Sequence, residues 1–456
     1  MRRSLAKLKT DTPADLARMV HADLLRRRLK PPALGILSQI FETLFFVSLQ
    51  TEEADPLTCS VTYLDSRTPD PNPPIRILSS RWKCTRLQKP ITLNVANLAK
   101  IAKAADPAAT SLAVYSDSRG RPYIWGLIDQ VPVHYARMVT RESEWGPEIP
   151  GVFLAVITGI AEVSVFHEYA PIGTLRQSAI VSKYHNVLYT GPVFAALLPY
   201  VKNYARSVES SVEKQVLRES VDLKGQLADS WLGTISRILL AIQRYGCGGA
   251  VLIVPNGPTD DLKVKYELHY ARLSETLKGY ALSVMRERYL WHKAHEQAKK
   301  GVVAIALYLS ERVQEGVKRD CQSALAGCIR FIASLSRIDG LLLVSSELTV
   351  LGFGTEILTE TDVPRFYAVS GAHATPRQLQ ERDPKHYGMR HRSMMRYCAA
   401  NPRSIGFVIS QDGYVRAVMQ HRRRVLMWDN IQLQVSFDRD PEDKTTRARE
   451  SNPRLK

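Results

Sequence analysis

Three short runs in the C-terminal half carry side chains suited to a charged ligand. Asp339-Gly340-Leu341 opens an apolar stretch. A carboxylate at a strand mouth reaches a metal ion or a hydroxyl, and the glycine beside it lets the backbone approach a ligand closely. Gly388-Met389-Arg390-His391-Arg392-Ser393 falls at an expected helix start. First-turn amides and two guanidinium groups form an anion site there, and His391 adds a donor. Ser410-Gln411-Asp412-Gly413 ends an apolar run in a turn, with a hydroxyl and a carboxylate to face a ligand. Taken singly, each run has a plainer reading as a turn, a solvated charge run or a hairpin. The cluster Gly246, Gly248 and Gly249 precedes a strand. A dinucleotide loop joins strand to helix instead, so this cluster reads as a tight turn or a close backbone approach.

Strands and helices must alternate to position these runs. Segments 250–254, 340–344, 349–353, 404–410, 414–420 and 425–428 read as strands. Segment 264–273 reads as a strand or extended stretch, and 276–299 and 302–335 as long helices. The run at Arg390 begins a helix over 388–400. This interleaving predicts an α+β or α/β domain, a mixed sheet flanked by helices, over 228–436. Segment 201–227 reads as a helical connector. Segment 31–200 reads as a mixed α+β domain with strands at 59–64, 111–115, 123–128, 152–157 and 161–167, and a helix from Asn94 to Ala105. It holds no glycine-rich phosphate loop and no His/Cys cluster, so by default it reads as a small-molecule or protein sensor. Residues 1–30 form a basic arm with a helix over 12–28, started by Thr12-Pro13. The polar tail 437–456 reads as disordered.

Composition narrows the classes. The chain has 456 residues and a formal charge of +17, a balance that invites a nucleic-acid reading. The excess is local, however. Residues 1–30 carry +6 and residues 376–424 carry +8, while 31–375 carry only +3. No continuous basic stripe interleaved with aromatics appears, which weighs against nucleic acid. Six cysteines lie far apart with no CxxC pair, and no apolar leader precedes them. Free thiols in a reducing cytoplasm follow. The most apolar stretches, 33–49 and 151–166, are interrupted by Glu42 and Glu162 and are too short to span a bilayer, so no membrane is expected. His292 and His295 share a helix face next to Glu296, but no third zinc ligand is evident. Cys321 and Cys328 share a helix face and read as core. Arg422, Arg423 and Arg424 read as a solvated loop, with a secondary phosphate or DNA contact as the alternative.

In this order, DGL at 339–341, GMRHRSM at 388–394 and FVISQDG at 407–413 resemble the diadenylate cyclase (DAC) domain. That family's signature is a DGA motif, then GTRHR, then a strand ending in Ser followed by acidic residues. Gly388 follows Asp339 by 49 residues, and the resemblance covers roughly 228–436. The N-terminal half resembles, more loosely, the probable sensor domain (DACNV) attached to such cyclases. The resemblance implies condensation of two ATP into cyclic di-AMP and two pyrophosphates, with Mg²⁺ or Mn²⁺. It implies a homodimer or higher homo-oligomer with active sites face to face. Asp339 would bind the metal and help activate the 3′-hydroxyl. Gly340 and Leu341 would line the nucleotide. Arg390, His391 and Arg392 would hold the triphosphate, with Gly388, Met389 and Ser393 beside them. Ser410 would touch a phosphate, and Asp412 would add a carboxylate near the metal. Three positions depart from the family: Leu341 replaces Ala, Met389 replaces Thr, and Gln411 stands where an acid is common. Two rival readings follow, a catalytically impaired nucleotide receptor and a nucleic-acid-binding protein.

Overall fold

Thr12 is followed by proline at the first helical position and by Asp15 at the third. Its hydroxyl accepts from the Asp15 amide at 3.4 Å, and the Asp15 carboxylate accepts from the Thr12 amide at 2.9 Å. This capping box starts α1 (Pro13–Arg26), which buries Leu16, Ala17, Val20 and Leu24 along one stripe. The computed structural model describes residues 10–52, 55–67, 82–130, 149–181, 185–219, 223–255, 257–300, 305–411, 413–431 and 433. The chain divides into two compact units, with the boundary between residues 183 and 184. Each is a mixed α+β assembly.

In the N-terminal unit, α1 is followed by α2 (Leu34–Ser48) and a short hairpin, β1 (Thr51–Glu52) and β2 (Asp55–Pro56). Then come β3 (Ser60–Tyr63), β4 (Lys83–Thr92), α3 (Val95–Ala102), β5 (Thr110–Ser116) and β6 (Pro122–Asp129). The strands β7 (Leu154–Gly159), β8 (Glu162–His167), β9 (Ala170–Arg176) and β10 (Ala179–Val181) complete it. The sheet order is β10-β9-β8-β7-β3-β5-β6-β4. Only the β3–β5 pair in it is parallel. The stretch 33–49, read above only for its length against a bilayer, is the amphipathic α2. It buries Leu37, Ile40, Phe41, Leu44 and Val47 and leaves Glu42 exposed. With α1 and α3 it covers one face of the sheet. A second apolar cluster, Leu64, Trp82, Ala113, Trp125 and Ile128, sits apart from that core. Among the described residues no helix is long and apolar enough to cross a membrane.

The C-terminal unit begins with three helices, α4 (Gly191–Glu209), α5 (Lys214–Arg218) and α6 (Leu223–Arg244). Then come β11 (Gly249–Val254), β12 (Leu262–Lys263), β13 (Tyr266–Tyr270) and the long helices α7 (Arg272–Lys299) and α8 (Ile305–Leu335). Next are β14 (Leu341–Ser345), β15 (Val350–Ile357), β16 (Phe366–Val369) and β17 (Leu379–Arg382). The helix α9 (Met389–Ala400) and β18 (Ile405–Ile409), β19 (Val415–His421) and β20 (Arg424–Trp428) follow. The sheet order is β12-β15-β14-β11-β18-β19-β20-β16-β17, with β13 also on β15. Strand alternation assigns the two faces. Val251, Ile253, Leu342, Val344, Phe407 and Ala417 join α4, α6, α7 and α8 in the larger core. Their neighbours Ala250, Leu252, Leu341, Leu343, Val408 and Val418 pack under α9.

The domain boundaries differ from the sequence reading. The helix of the expected arm 1–30 packs into the N-terminal core. The expected first domain, 31–200, closes earlier, because Val193, Leu197, Val201 and Val208 of α4 belong to the second core. The expected connector 201–227 is likewise part of that core through Val216 and Leu227. Apolar residues at helical spacing commit these segments to the sheet they cover, so they do not act as a spacer. The tail 437–456 lies outside the described residues.

Candidate functional site

The chemistry-bearing runs gather at one end of the C-terminal sheet. β11 and β14 are parallel, so Gly248 and Asp339-Gly340 lead into the sheet at the same end. β18 is antiparallel to β11, with Ile409 opposite Gly249, so Ser410 and Gln411 emerge there too. β15 returns to that end, with Thr355 opposite Leu341. Gly340 has φ +115°, and a β-carbon on it would lie 2.5 Å from the backbone carbonyl carbon of Gly354. Only glycine permits that crossing. The Asp339 carboxylate beside it projects fully into solvent.

Helix α9 brings its N-terminus to this end. Gly388 is its N-cap, no side chain caps it, and its first turn holds no acidic residue. Its end amides and dipole therefore favour an anion. The Arg390 guanidinium crosses Gly248, where a β-carbon would stand 2.9 Å from Nη1 and 3.1 Å from the Ile409 oxygen. Its Nη2 is 3.7 Å from Asp339 Oδ1. A carboxylate from one run thus converges with a guanidinium and a helix start from another.

The three residues Arg390, His391 and Arg392 do not converge as expected. Successive residues turn by about 100° on a helix, so neighbours face different surroundings. His391 faces the strands. Its Nε2 lies 3.1 Å from Arg416 Nη1, and its ring is 5.7 Å from that of Tyr387. Burial, then the Arg416 cation, lower its pKa to about 4, against the opposing pull of Asp429. His391 is therefore neutral near pH 7. Arg392 is half-buried, and its Nε is enclosed with no partner among the described residues.

Other expected positions divide. Leu341 buries its side chain in the cluster under α9, so only its backbone borders the site. Met389, 76% exposed, stands free at the helix start, and Ser393 is half-buried one turn on. The Ser410 hydroxyl donates to the Tyr414 carbonyl at 3.3 Å and so closes the turn between β18 and β19. Asp412 lies outside the described residues. His292 and His295 pack around Trp291, and no group of three or more metal-ligating side chains occurs among the described residues. None of the six cysteines forms a disulfide.

The structure adds residues that no motif indicated. Tyr266 of β13 stacks on Phe353 of β15 at 4.8 Å, and its ring borders Gly354 next to Asp339. Arg416 and Asp429 lie behind His391. Strand register alone brings these residues to the site, and a single sequence carries no signal for it.

In the N-terminal unit several buried polar groups pair with one another. Ser60 Oγ bonds to the Thr110 carbonyl and to Ser111 Oγ, both at 2.7 Å, and Gln130 Nε2 donates to Ser111 Oγ at 2.9 Å. Trp125 Nε1 donates to the Leu64 carbonyl at 2.9 Å, and Arg86 lies over its ring at 4.8 Å. Residues 27–129 match the family model described as Probable sensor domain DACNV. A probable sensor domain is thus present. The match runs from the end of α1 through β6 and takes in α2, α3 and the β3-β5-β6-β4 part of the sheet. The strands β7–β10 lie beyond it. No curated protein and no solved structure matches the chain.

Proposed function

We propose that the C-terminal unit is a diadenylate cyclase governed by the N-terminal probable sensor domain. Two protomers, each holding one ATP, meet face to face. Each 3′-oxygen loses its proton and attacks the opposite α-phosphorus. The α–β phosphoanhydride bond breaks and pyrophosphate leaves, so two ATP yield cyclic di-AMP and two pyrophosphates. The single observation that carries this reading is the convergence of Asp339-Gly340 with Arg390 and the α9 N-terminus at one sheet end.

Phosphoryl transfer needs alignment and cancellation of spreading negative charge more than covalent help. Arg390 and the open amides of α9 supply fixed positive ends toward a triphosphate. Asp339, with its carboxylate fully exposed, would hold a Mg²⁺ or Mn²⁺ ion, which is bound by one or two carboxylates plus substrate phosphates. Such an ion supplies neutralisation of phosphate charge. The buried Leu341 side chain leaves the nucleotide to the backbone of Gly340 and Leu341.

Purified full-length protein incubated with ATP, with GTP and with both, in Mg²⁺ or Mn²⁺, tests the reading by mass spectrometry of the products. Cyclic di-AMP from ATP is expected, and Asp339→Asn and Arg390→Ala should each lower its formation by about 10²–10³ or more. Full activity in those variants overturns the site. Met389, in place of a hydroxyl at the helix start, favours one other reading, a nucleotide receptor without turnover. Tight ATP binding with no product would establish that reading instead.

A further inference from the structure

Arg416 lies on β19, outside every motif, and ties two groups together. Its Nε donates to Asp429 Oδ1 at 2.5 Å, and its Nη1 meets His391 Nε2 at 3.1 Å. Its side chain is 17% exposed. A guanidinium carries donors only, so His391 Nε2 must accept. The imidazole proton of His391 then rests on Nδ1. The surrounding groups act in the same direction. Burial, Arg416 and Arg390 on its own helix all disfavour imidazolium, and Asp429 alone opposes them. Tyr387 closes another side, its phenol pushed further toward the neutral form by burial and by Asp429, against Arg416 and Arg382.

We propose that Arg416, oriented by Asp429, is a positioning residue that holds His391 as the neutral Nδ1–H tautomer. His391 is then a single hydrogen-bond donor, through Nδ1, with no charge of its own to offer an anionic ligand at the α9 N-terminus. The identity of that ligand as a nucleotide phosphate rests on the reading above; the tautomer does not. A donor that stays neutral across the physiological range leaves the anion affinity to Arg390 and the helix start. It also spares Arg390 a second cation beside it.

Long-range ¹H–¹⁵N spectra of the ¹⁵N-histidine-labelled full-length protein read the tautomer directly. His391→Gln assigns the His391 signal among the eleven histidines. In the wild type, His391 should be neutral and protonated on Nδ1 from about pH 5.5 to 8. In Arg416→Met the signal should become a mixture of tautomers, with its midpoint raised by about one unit or more. Arg416→Lys, which keeps a cation and a donor, should hold the low midpoint. Asp429→Asn, nearly isosteric, serves if Arg416→Met does not fold, and should mix the tautomers by releasing Arg416. A wild-type His391 that titrates near 6.5 or carries its proton on Nε2 overturns the proposal. So does an unchanged tautomer in the folded Arg416 and Asp429 variants. These outcomes do not depend on turnover. The expected tautomer with no cyclic product removes the cyclase reading alone, and product formation with an indifferent tautomer removes this one alone.

Discussion

Arg390 occupies space that a side chain at position 248 would claim. Gly248 has φ +69°, and even a methyl group there would meet Nη1 at 2.9 Å. Gly248→Ala should therefore displace the guanidinium and weaken ATP binding by about 10- to 100-fold, the range for one charge-assisted hydrogen bond, as read by calorimetry. Gly340→Ala acts on the backbone instead. Its φ of +115° and the 2.5 Å approach to Gly354 should cost about 1–3 kcal/mol in urea unfolding. His391 sets a pH dependence. Its pKa is about 4 in the folded protein and near 6.5 in an unfolded chain, so between those values the unfolded state binds more protons. Stability is then full above about pH 6.5 and falls as pH drops toward 4, by up to about 3 kcal/mol. Urea midpoints at pH 7.5 and 4.5 should differ less in His391→Gln than in the wild type.

Strand elements carry a second kind of prediction. The hairpin of β19 and β20 turns at Arg422 and Arg423, with φ +48° and +63°. Two-residue hairpins of this form prefer Asn-Gly, because arginine bears a steric cost there. R422N/R423G should raise stability by about 1 kcal/mol and leave product formation unchanged, as checked by thermal unfolding and a turnover assay. Elements were legible where burial is periodic. β11, β14, β18, β19 and β20 run through a sheet covered on both faces, so they read as short apolar stretches. β4 did not. It is an edge strand, mostly exposed, containing Pro90, and it has no alternation to read. The short β16 and β17 were missed for want of length, and the first half of α4, up to Pro199, was missed because the proline interrupts its pattern, while 201–209 was read within the helical segment 201–227.

For the whole molecule, separate apolar cores in the two units predict two unfolding transitions in calorimetry of the full chain. A single cooperative transition would mean that the two cores unfold together. Charge belongs to this scale as well. Arg18 pairs with Asp15, Arg26 and Arg27 with Asp23, Arg416 with Asp429, and Arg390 lies beside Asp339. Asp339 and Asp429, from outside the second block, offset part of its charge, whereas the +6 of residues 1–30 already includes Asp15 and Asp23. Affinity for DNA at physiological salt should be no tighter than the roughly 10⁻⁴–10⁻⁶ M of non-specific binding, as measured in a salt titration.

The sequence by itself determined which residue types were available for anion and metal chemistry, and it marked the helix start and strand mouths that hold them. Asp-Gly before an apolar run and Gly before Arg-His-Arg are local signals, and local backbone preferences suffice to read them. It also determined the mixed α+β class, because the two periodicities alternate along the chain. Which of these side chains meet was decided by tertiary structure alone. Strand order set Asp339 beside Arg390 across 51 residues of chain. Register placed Arg416 behind His391 and made that expected donor a neutral, half-buried one turned toward the strands. The domain boundary was likewise a matter of packing, since α4 joined the core that its apolar stripe covered. Contact between distant segments depends on how sheets and helices stack, and no short window of sequence contains that information.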